Sequence, residues 1–105
     1  MIIVAGEKAF PREIEDLLMR HPSVAEAAVV GKKDPSRGEV VVAFVTAREG
    51  QPPPAADVLK DHCRQQGLPQ WKTPREINLV EDLPRSPTGK VLKRELAAKV
   101  NAPAS

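Results

Sequence analysis

The chain has 105 residues and a formal net charge of +2, a length that predicts one domain with a modest core. Its single cysteine excludes an internal disulfide framework and, with only two histidines, gives no basis for a metal centre. Three aromatic residues are too few stacking platforms for a general single-strand nucleic-acid binder, and no apolar run reaches the roughly 18 residues of a membrane span. We therefore expect a cytoplasmic domain with no metal, no nucleic-acid partner and no membrane span.

The N-terminal residues predict a strand, a turn and a helix. Residues 1–5 are apolar and partly β-branched, as in a short strand, and residues 6–8 favour a turn. Apolar side chains then recur at helical spacing from Pro11, which suits a first helical turn. We expect this helix to end near His21-Pro22, because a residue before proline resists helical geometry.

Two valine-rich segments follow the helix. Residues 24–31 and 39–47 predict two strands, antiparallel to each other and joined by the polar connection 32–38. The proline-rich segment 48–54 then predicts a stiff surface connector.

The remaining residues complete an α+β pattern. Segment 55–66 predicts a helix, 76–80 a half-buried strand, and 91–100 an amphipathic helix. We therefore expect an α+β domain over residues 1–100, with a small mixed sheet of mainly three strands plus a short N-terminal strand and about three flanking helices. Residues 101–105 are expected to form a flexible tail.

The most distinctive loop runs from Leu83 to Lys90. Its two prolines restrict the backbone and Gly89 tolerates a positive φ, so the loop presents Lys90 at the expected start of a helix. A lysine there can bridge oxygens of a carboxylate or phosphate, or it can simply be a solvated side chain. A phosphate-binding P-loop is excluded, because that motif needs glycine where this chain has Pro84 and Ser or Thr where it has Val91.

A second loop joins the first strand to the first helix. Gly6 in this loop allows a ligand or another part of the backbone to approach closely. An ordinary tight turn explains the same glycine. Taken separately, neither loop decides between a functional and a purely structural role.

Taken together, three segments in a fixed order resemble one family. They are GEKAFPREIE at residues 6–15, WKTPR at residues 71–75 and LPRSPTGKVLKREL at residues 83–96. Their sequences and spacing resemble the C-terminal domain of the adenylate-forming enzymes, specifically the acyl-CoA synthetases, from Met1 to about Lys99. The chain departs from many members of the family at Ala5, where they have glycine, and at Lys8, where they have asparagine. The Lys8 variant also occurs among fatty-acyl-CoA ligases.

The resemblance implies a shared active site. In that family a large N-terminal domain binds ATP and a carboxylic acid, and the small C-terminal domain is a mobile lid that takes two orientations. We therefore expect this chain to be part of a longer ligase for a fatty or related carboxylic acid. ATP and CoA would be substrates of the whole enzyme, and Mg²⁺ would be held in the missing N-terminal domain. None of them would be bound tightly by this chain, which we expect to be inactive alone.

The resemblance also assigns roles to residues. Lys90 matches the lysine that promotes acyl-adenylate formation and a known type of site for reversible acetylation. The loop that presents this lysine comprises Arg85, Ser86, Pro87, Thr88 and Gly89. The face that meets CoA during thioester formation comprises Ala5, Gly6, Glu7 and Lys8.

Two alternatives remain open at this point. One is the lid of another adenylating enzyme, either a carrier-protein ligase or an oxidative type. The other is a free-standing interaction module whose basic last helix binds an acidic partner or nucleic acid. The identity of the activated acid would lie in the missing domain.

Overall fold

The computed structural model describes residues 1–101. The α+β class, the mixed sheet and the three helices are confirmed, and one further short strand is present. Of the predicted tail at 101–105, all but Asn101 lies outside the described residues. The elements are β1 (Ile2–Val4), β2 (Glu7–Ala9), α1 (Pro11–Met19), β3 (Val24–Asp34), β4 (Gly38–Ala47), α2 (Ala56–Gln65), β5 (Glu76–Leu79) and α3 (Lys93–Val100).

Strand β4 lies at the centre of the sheet. Strand β3 pairs with it antiparallel along one edge, from Val24 opposite Ala47 to Asp34 opposite Gly38. Strand β5 pairs parallel with β4 on the other edge, and β1 meets the start of β4 at Gly38 and carries β2 on its outer side. The predicted antiparallel pairing of the two valine-rich strands is confirmed.

Alternate side chains of β4 enter two separate apolar clusters. The first cluster lies between the sheet and helices α1 and α2, and the second lies between the sheet and α3. Burial on both faces explains why β4 is almost continuously apolar rather than alternating. The first cluster includes Val41, Ala43, Val45, Ile14, Leu17, Leu18, Leu59 and Cys63. The second includes Val42, Phe44, Ala28, Val30, Leu83 and Leu96.

The sequence missed one strand, and two predicted boundaries are wrong. Residues 7 and 8, expected to lie in a turn, open strand β2 (Glu7–Ala9), whose exposed polar residues give no alternating pattern. Strand β3 continues to Asp34 rather than ending at Gly31, because the ladder to β4 is made by the backbone. Helix α3 begins at Lys93 rather than Val91, because Val91 forms a bridge with Arg85 instead.

Two histidines join the end of α1 to α2. His21 Nδ1 accepts a hydrogen bond from the Ser23 backbone N–H at 3.1 Å, and His62 Nε2–H donates to the Leu17 carbonyl at 2.9 Å. The two rings meet edge to face with centroids 5.2 Å apart. Burial, and secondarily the charge of His62, lowers the pKa of His21 from its ordinary value of 6.5.

The lowered pKa of His21 predicts that the free energy of unfolding decreases in acid. Because the folded pKa of His21 lies below its unfolded value of about 6.5, the unfolded chain binds more protons once the pH drops through that value. The free energy of unfolding should therefore be level above about pH 7 and decline towards pH 5. Urea unfolding across this range measures the slope, and His21→Gln should make it shallower. An unchanged slope in that variant would contradict the assignment.

Candidate functional site

Residues 85–91 form a small β-hairpin, here called the closing hairpin. Arg85 pairs with Val91, and the Ser86 N–H donates to the Lys90 carbonyl at 2.8 Å. The Gly89 N–H donates back to the Ser86 carbonyl at 2.8 Å, and Gly89 has φ +87°. A three-residue connection that ends in a left-handed glycine is a common hairpin geometry. The predicted restrained loop is therefore a hydrogen-bonded hairpin.

Side chains hold the tip of the closing hairpin in place. The Ser86 hydroxyl lies 2.8 Å from the Thr88 hydroxyl and accepts the Lys90 backbone N–H at 3.3 Å. Two hydrogen bonds to Ser86 therefore hold the Lys90 backbone, one at its carbonyl and one at its N–H. The residue itself is exposed. Its ammonium makes no ion pair within residues 1–101, so its charge is available to an incoming anion.

Ala5 and Gly6 form the tip of the β1–β2 hairpin, here called the glycine turn. Val4 is opposite Glu7, so the connection has two residues, with φ 51° at Ala5 and +85° at Gly6. Positive φ at both positions is the requirement of a tight type I′ hairpin turn. A side-chain carbon placed on Gly6 would meet no heavy atom within 4 Å. The turn is therefore open on its outer side.

A pocket of about 380 Å³, here called the basic pocket, adjoins the glycine turn. Val4 is part of its wall, and the Ala5 N–H donates to the Arg37 carbonyl at 2.7 Å. Four basic side chains and one aromatic ring line it, namely Arg37, Lys60, Arg64, Arg75 and Trp71. Asp61 forms an ion pair with Arg64, and Asp34 forms one with Arg75. No ion pair within residues 1–101 neutralises the charges of Arg37 and Lys60. Such a pocket suits a polyanion.

Sequence reasoning missed most of the basic pocket. Arg37 comes from the β3–β4 connection, whereas Lys60 and Arg64 come from α2, one turn apart on the same face. No local motif links these positions, and each alone resembles a solvated surface charge. Trp71 and Arg75 belong to a segment that the family resemblance did single out.

The closing hairpin and the glycine turn are anchored on opposite faces of the sheet. Ile2, Val4 and Ala9 of the β1–β2 hairpin belong to the first apolar cluster. Leu83 belongs to the second cluster, and Val91 packs against it. The two sequence-predicted sites are thus both present at the surface but are not brought together.

The neighbouring pair His62 and Cys63 does not form a catalytic dyad. Cys63 is fully buried, and burial raises the pKa of its thiol to about 11, so a thiolate is disfavoured. The His62 ring is turned to Leu17.

The described residues contain no group of three or more His, Cys, Asp or Glu side chains that could hold a metal ion. None of their helices is long and apolar enough to cross a membrane.

A family model described as the AMP-binding enzyme C-terminal domain matches residues 13–90. The chain belongs to this family. This AMP-binding C-terminal domain is 44% identical, over 99% of its length, to an acetyl-coenzyme A synthetase of Bacillus subtilis. It is 46% identical, over 90% of its length, to a fatty acid–acyl-carrier-protein ligase, ScoC, of Streptomyces coeruleorubidus.

Solved structures agree with this assignment. A fatty acyl-CoA synthetase of Mycobacterium tuberculosis superposes with a TM-score of 0.86 and 35% identity over 97% of this AMP-binding C-terminal domain. The chain spans only about a fifth of the length of these relatives, 18% of each of the two enzymes and 20% of the solved structure. The resemblance inferred from the three motifs is confirmed. The roles expected for Lys90 and for Ala5, Gly6, Glu7 and Lys8 stay predictions.

Proposed function

We propose that this chain is the mobile C-terminal domain of an ATP-dependent, AMP-forming acyl-CoA ligase that acts on a fatty or related carboxylic acid. The observation that carries the proposal is the anchoring of the closing hairpin and the glycine turn on opposite faces of one sheet. A single active site would meet them in turn only if the domain rotates between two half-reactions. The chain alone is inactive, because the N-terminal domain holds ATP and the acid.

In the first half-reaction the closing hairpin faces the active site. A carboxylate oxygen attacks the α-phosphate of ATP, the bond to the leaving pyrophosphate breaks, and acyl-adenylate forms. Two anions must approach each other, and the Lys90 ammonium lowers their repulsion and stabilises the transition-state charge. Lys90 acts as a protonated cation and not as a base. Acetylation of its exposed side chain would remove that charge.

In the second half-reaction the glycine turn faces the active site. The CoA thiol attacks the acyl carbonyl, the bond to AMP breaks, and the thioester forms. Gly6 lacks a side chain beside the path of the pantetheine arm, and the basic pocket next to the turn receives phosphate groups of CoA. Any Mg²⁺ that accompanies ATP would be held in the N-terminal domain together with the nucleotide.

The basic pocket allows a direct test of the CoA-facing side. Arg37→Gln with Lys60→Gln should raise KM for CoA about tenfold or more, because charge-assisted hydrogen bonds contribute roughly 1.5–3 kcal/mol. KM for pantetheine, which lacks those phosphates, should not change. Steady-state thioester formation with the two thiols measures both values, and Arg12→Gln on the exposed side of α1 is the matched control. Equal rises for CoA and pantetheine would contradict the proposal.

A carrier-protein ligase is the second candidate, favoured by the identity to ScoC. Its thiol would arrive on a carrier protein with a single phosphodiester rather than on a free nucleotide. In that case the purified enzyme would acylate a carrier protein faster than CoA. A direct competition between the two acceptors distinguishes the candidates.

A further inference from the structure

The Arg85 guanidinium connects the sheet to the peptide next to Lys90. Its Nη2 pairs with Glu26 of β3, and its Nη1 donates to the Gly89 carbonyl at 3.3 Å. Its Nε lies 3.7 Å from Asp82 Oδ1. A planar guanidinium has donors in a fixed fork, so anchoring one nitrogen orients the others. Glu26 is therefore coupled through Arg85 to the carbonyl that directly precedes Lys90.

A β-bulge directs Glu26 towards the closing hairpin. Val24 is opposite Ala47 and Glu26 is opposite Thr46, so one extra residue is inserted in β3. Because of this insertion Val24 lies in the first apolar cluster, whereas Glu26 shares the face of Ala28 and the second cluster by strand alternation. Bulges re-aim side chains and recur next to active sites.

The bulge is held by a buried hydroxyl. The Glu26 backbone N–H donates to Thr46 Oγ1 at 3.1 Å, and Thr46 is a buried polar residue of β4 that is only 6% exposed. A backbone N–H that the bulge would otherwise leave unpaired is thereby satisfied. The sheet therefore fixes the backbone of Glu26, and with it the direction in which the Glu26 side chain leaves the strand.

We propose that Glu26 is a positioning residue for Lys90 during acyl-adenylate formation, acting through Arg85 and the Gly89 carbonyl. This inference rests on the proposed function, in which Lys90 enters the active site. Lys90 itself is exposed and makes no ion pair within residues 1–101, so the direction of its side chain depends on the backbone of the closing hairpin. The Glu26–Arg85 contact orients that backbone against the sheet.

The test uses the AMP-binding enzyme that carries this domain. Glu26→Ala should lower the rate of pyrophosphate exchange about tenfold, since small misplacements of a catalytic group have large effects on rate. Thioester formation from synthetic acyl-adenylate and the thermal midpoint should stay unchanged. Glu26→Gln keeps an oxygen acceptor for Arg85 and should recover most of the rate. Glu76→Ala is the control, because Glu76 pairs with Lys32 at 2.8 Å elsewhere on the same sheet.

A double variant separates positioning from general support. If Glu26 acts through Lys90, Glu26→Ala should cause no further loss in a Lys90→Ala background. Exchanging the charges with Glu26→Arg and Arg85→Glu should not restore the rate, because a carboxylate at position 85 cannot donate to the Gly89 carbonyl. Restoration by this exchange, or equal losses in both backgrounds, would overturn the inference.

Different rates in the Lys90 and Glu26 variants test the role of Glu26 and the proposed function separately. Suppose that Lys90→Ala lowers the pyrophosphate exchange rate but Glu26→Ala has the same rate as the control Glu76→Ala. That result overturns the role of Glu26 and leaves the proposed function standing. An unchanged pyrophosphate exchange rate in Lys90→Ala overturns the proposed function and this inference with it.

Discussion

Replacing Lys90 with alanine is expected to slow acyl-adenylate formation by about 10²–10³ in the enzyme that carries this domain. Under the proposed mechanism the substitution removes one preorganised charge from the transition state, an effect of roughly 3–4 kcal/mol. The fold should not change, because the Lys90 side chain is exposed and its ammonium makes no ion pair within residues 1–101. Pyrophosphate exchange measures this step directly.

The same variant should form thioester from supplied acyl-adenylate at the normal rate. In the proposed two-orientation mechanism the closing hairpin is by then turned away from the active site, so Lys90 would no longer contact the reacting atoms. Lys99→Ala is a matched control, since Lys99 is an exposed lysine of α3. If Lys90→Ala slowed both half-reactions equally, Lys90 would be a general binding residue and the two-orientation proposal would be wrong.

Much of the fold was accessible from the sequence because its core elements have strong periodicity. The valines of β4 enter both clusters, and the apolar spacing of α1 buries Ile14, Leu17 and Leu18. Strand β2 was not accessible, since Glu7 and Lys8 are exposed and only Ala9 is buried. A strand of three residues with one buried side chain leaves no pattern that differs from a turn.

The candidate sites divide in the same way. The closing hairpin and the glycine turn are continuous segments, so glycine, proline and family resemblance pointed to them. Glu26 and Arg85 are 59 positions apart in the sequence. Their contact depends on a β-bulge that the sequence around neither residue predicts. Bulges and long-range ion pairs arise from register and packing, which local propensity does not encode.

Replacing Gly6 should have the opposite effect to replacing Lys90. In Gly6→Phe the new side chain would project into the open space outside the glycine turn, where we propose that the pantetheine arm passes. Thioester formation from synthetic acyl-adenylate should fall about 10²-fold, because the thiol would be displaced from its line of attack. Pyrophosphate exchange should be retained, since the proposed mechanism turns this face away in the first half-reaction.

Two further variants separate steric obstruction from backbone strain. Any non-glycine residue at Gly6, where φ is +85°, adds left-handed strain of about 1 kcal/mol. Gly6→Ala carries the same strain without the bulk, so it should keep most of the thioester rate. Gly50 has φ +83° with no neighbour within 4 Å, and Gly50→Phe should lower stability similarly while leaving both half-reactions intact. If Gly6→Ala and Gly6→Phe reduced thioester formation equally, strain in the turn would be the cause, and the glycine turn would not face CoA.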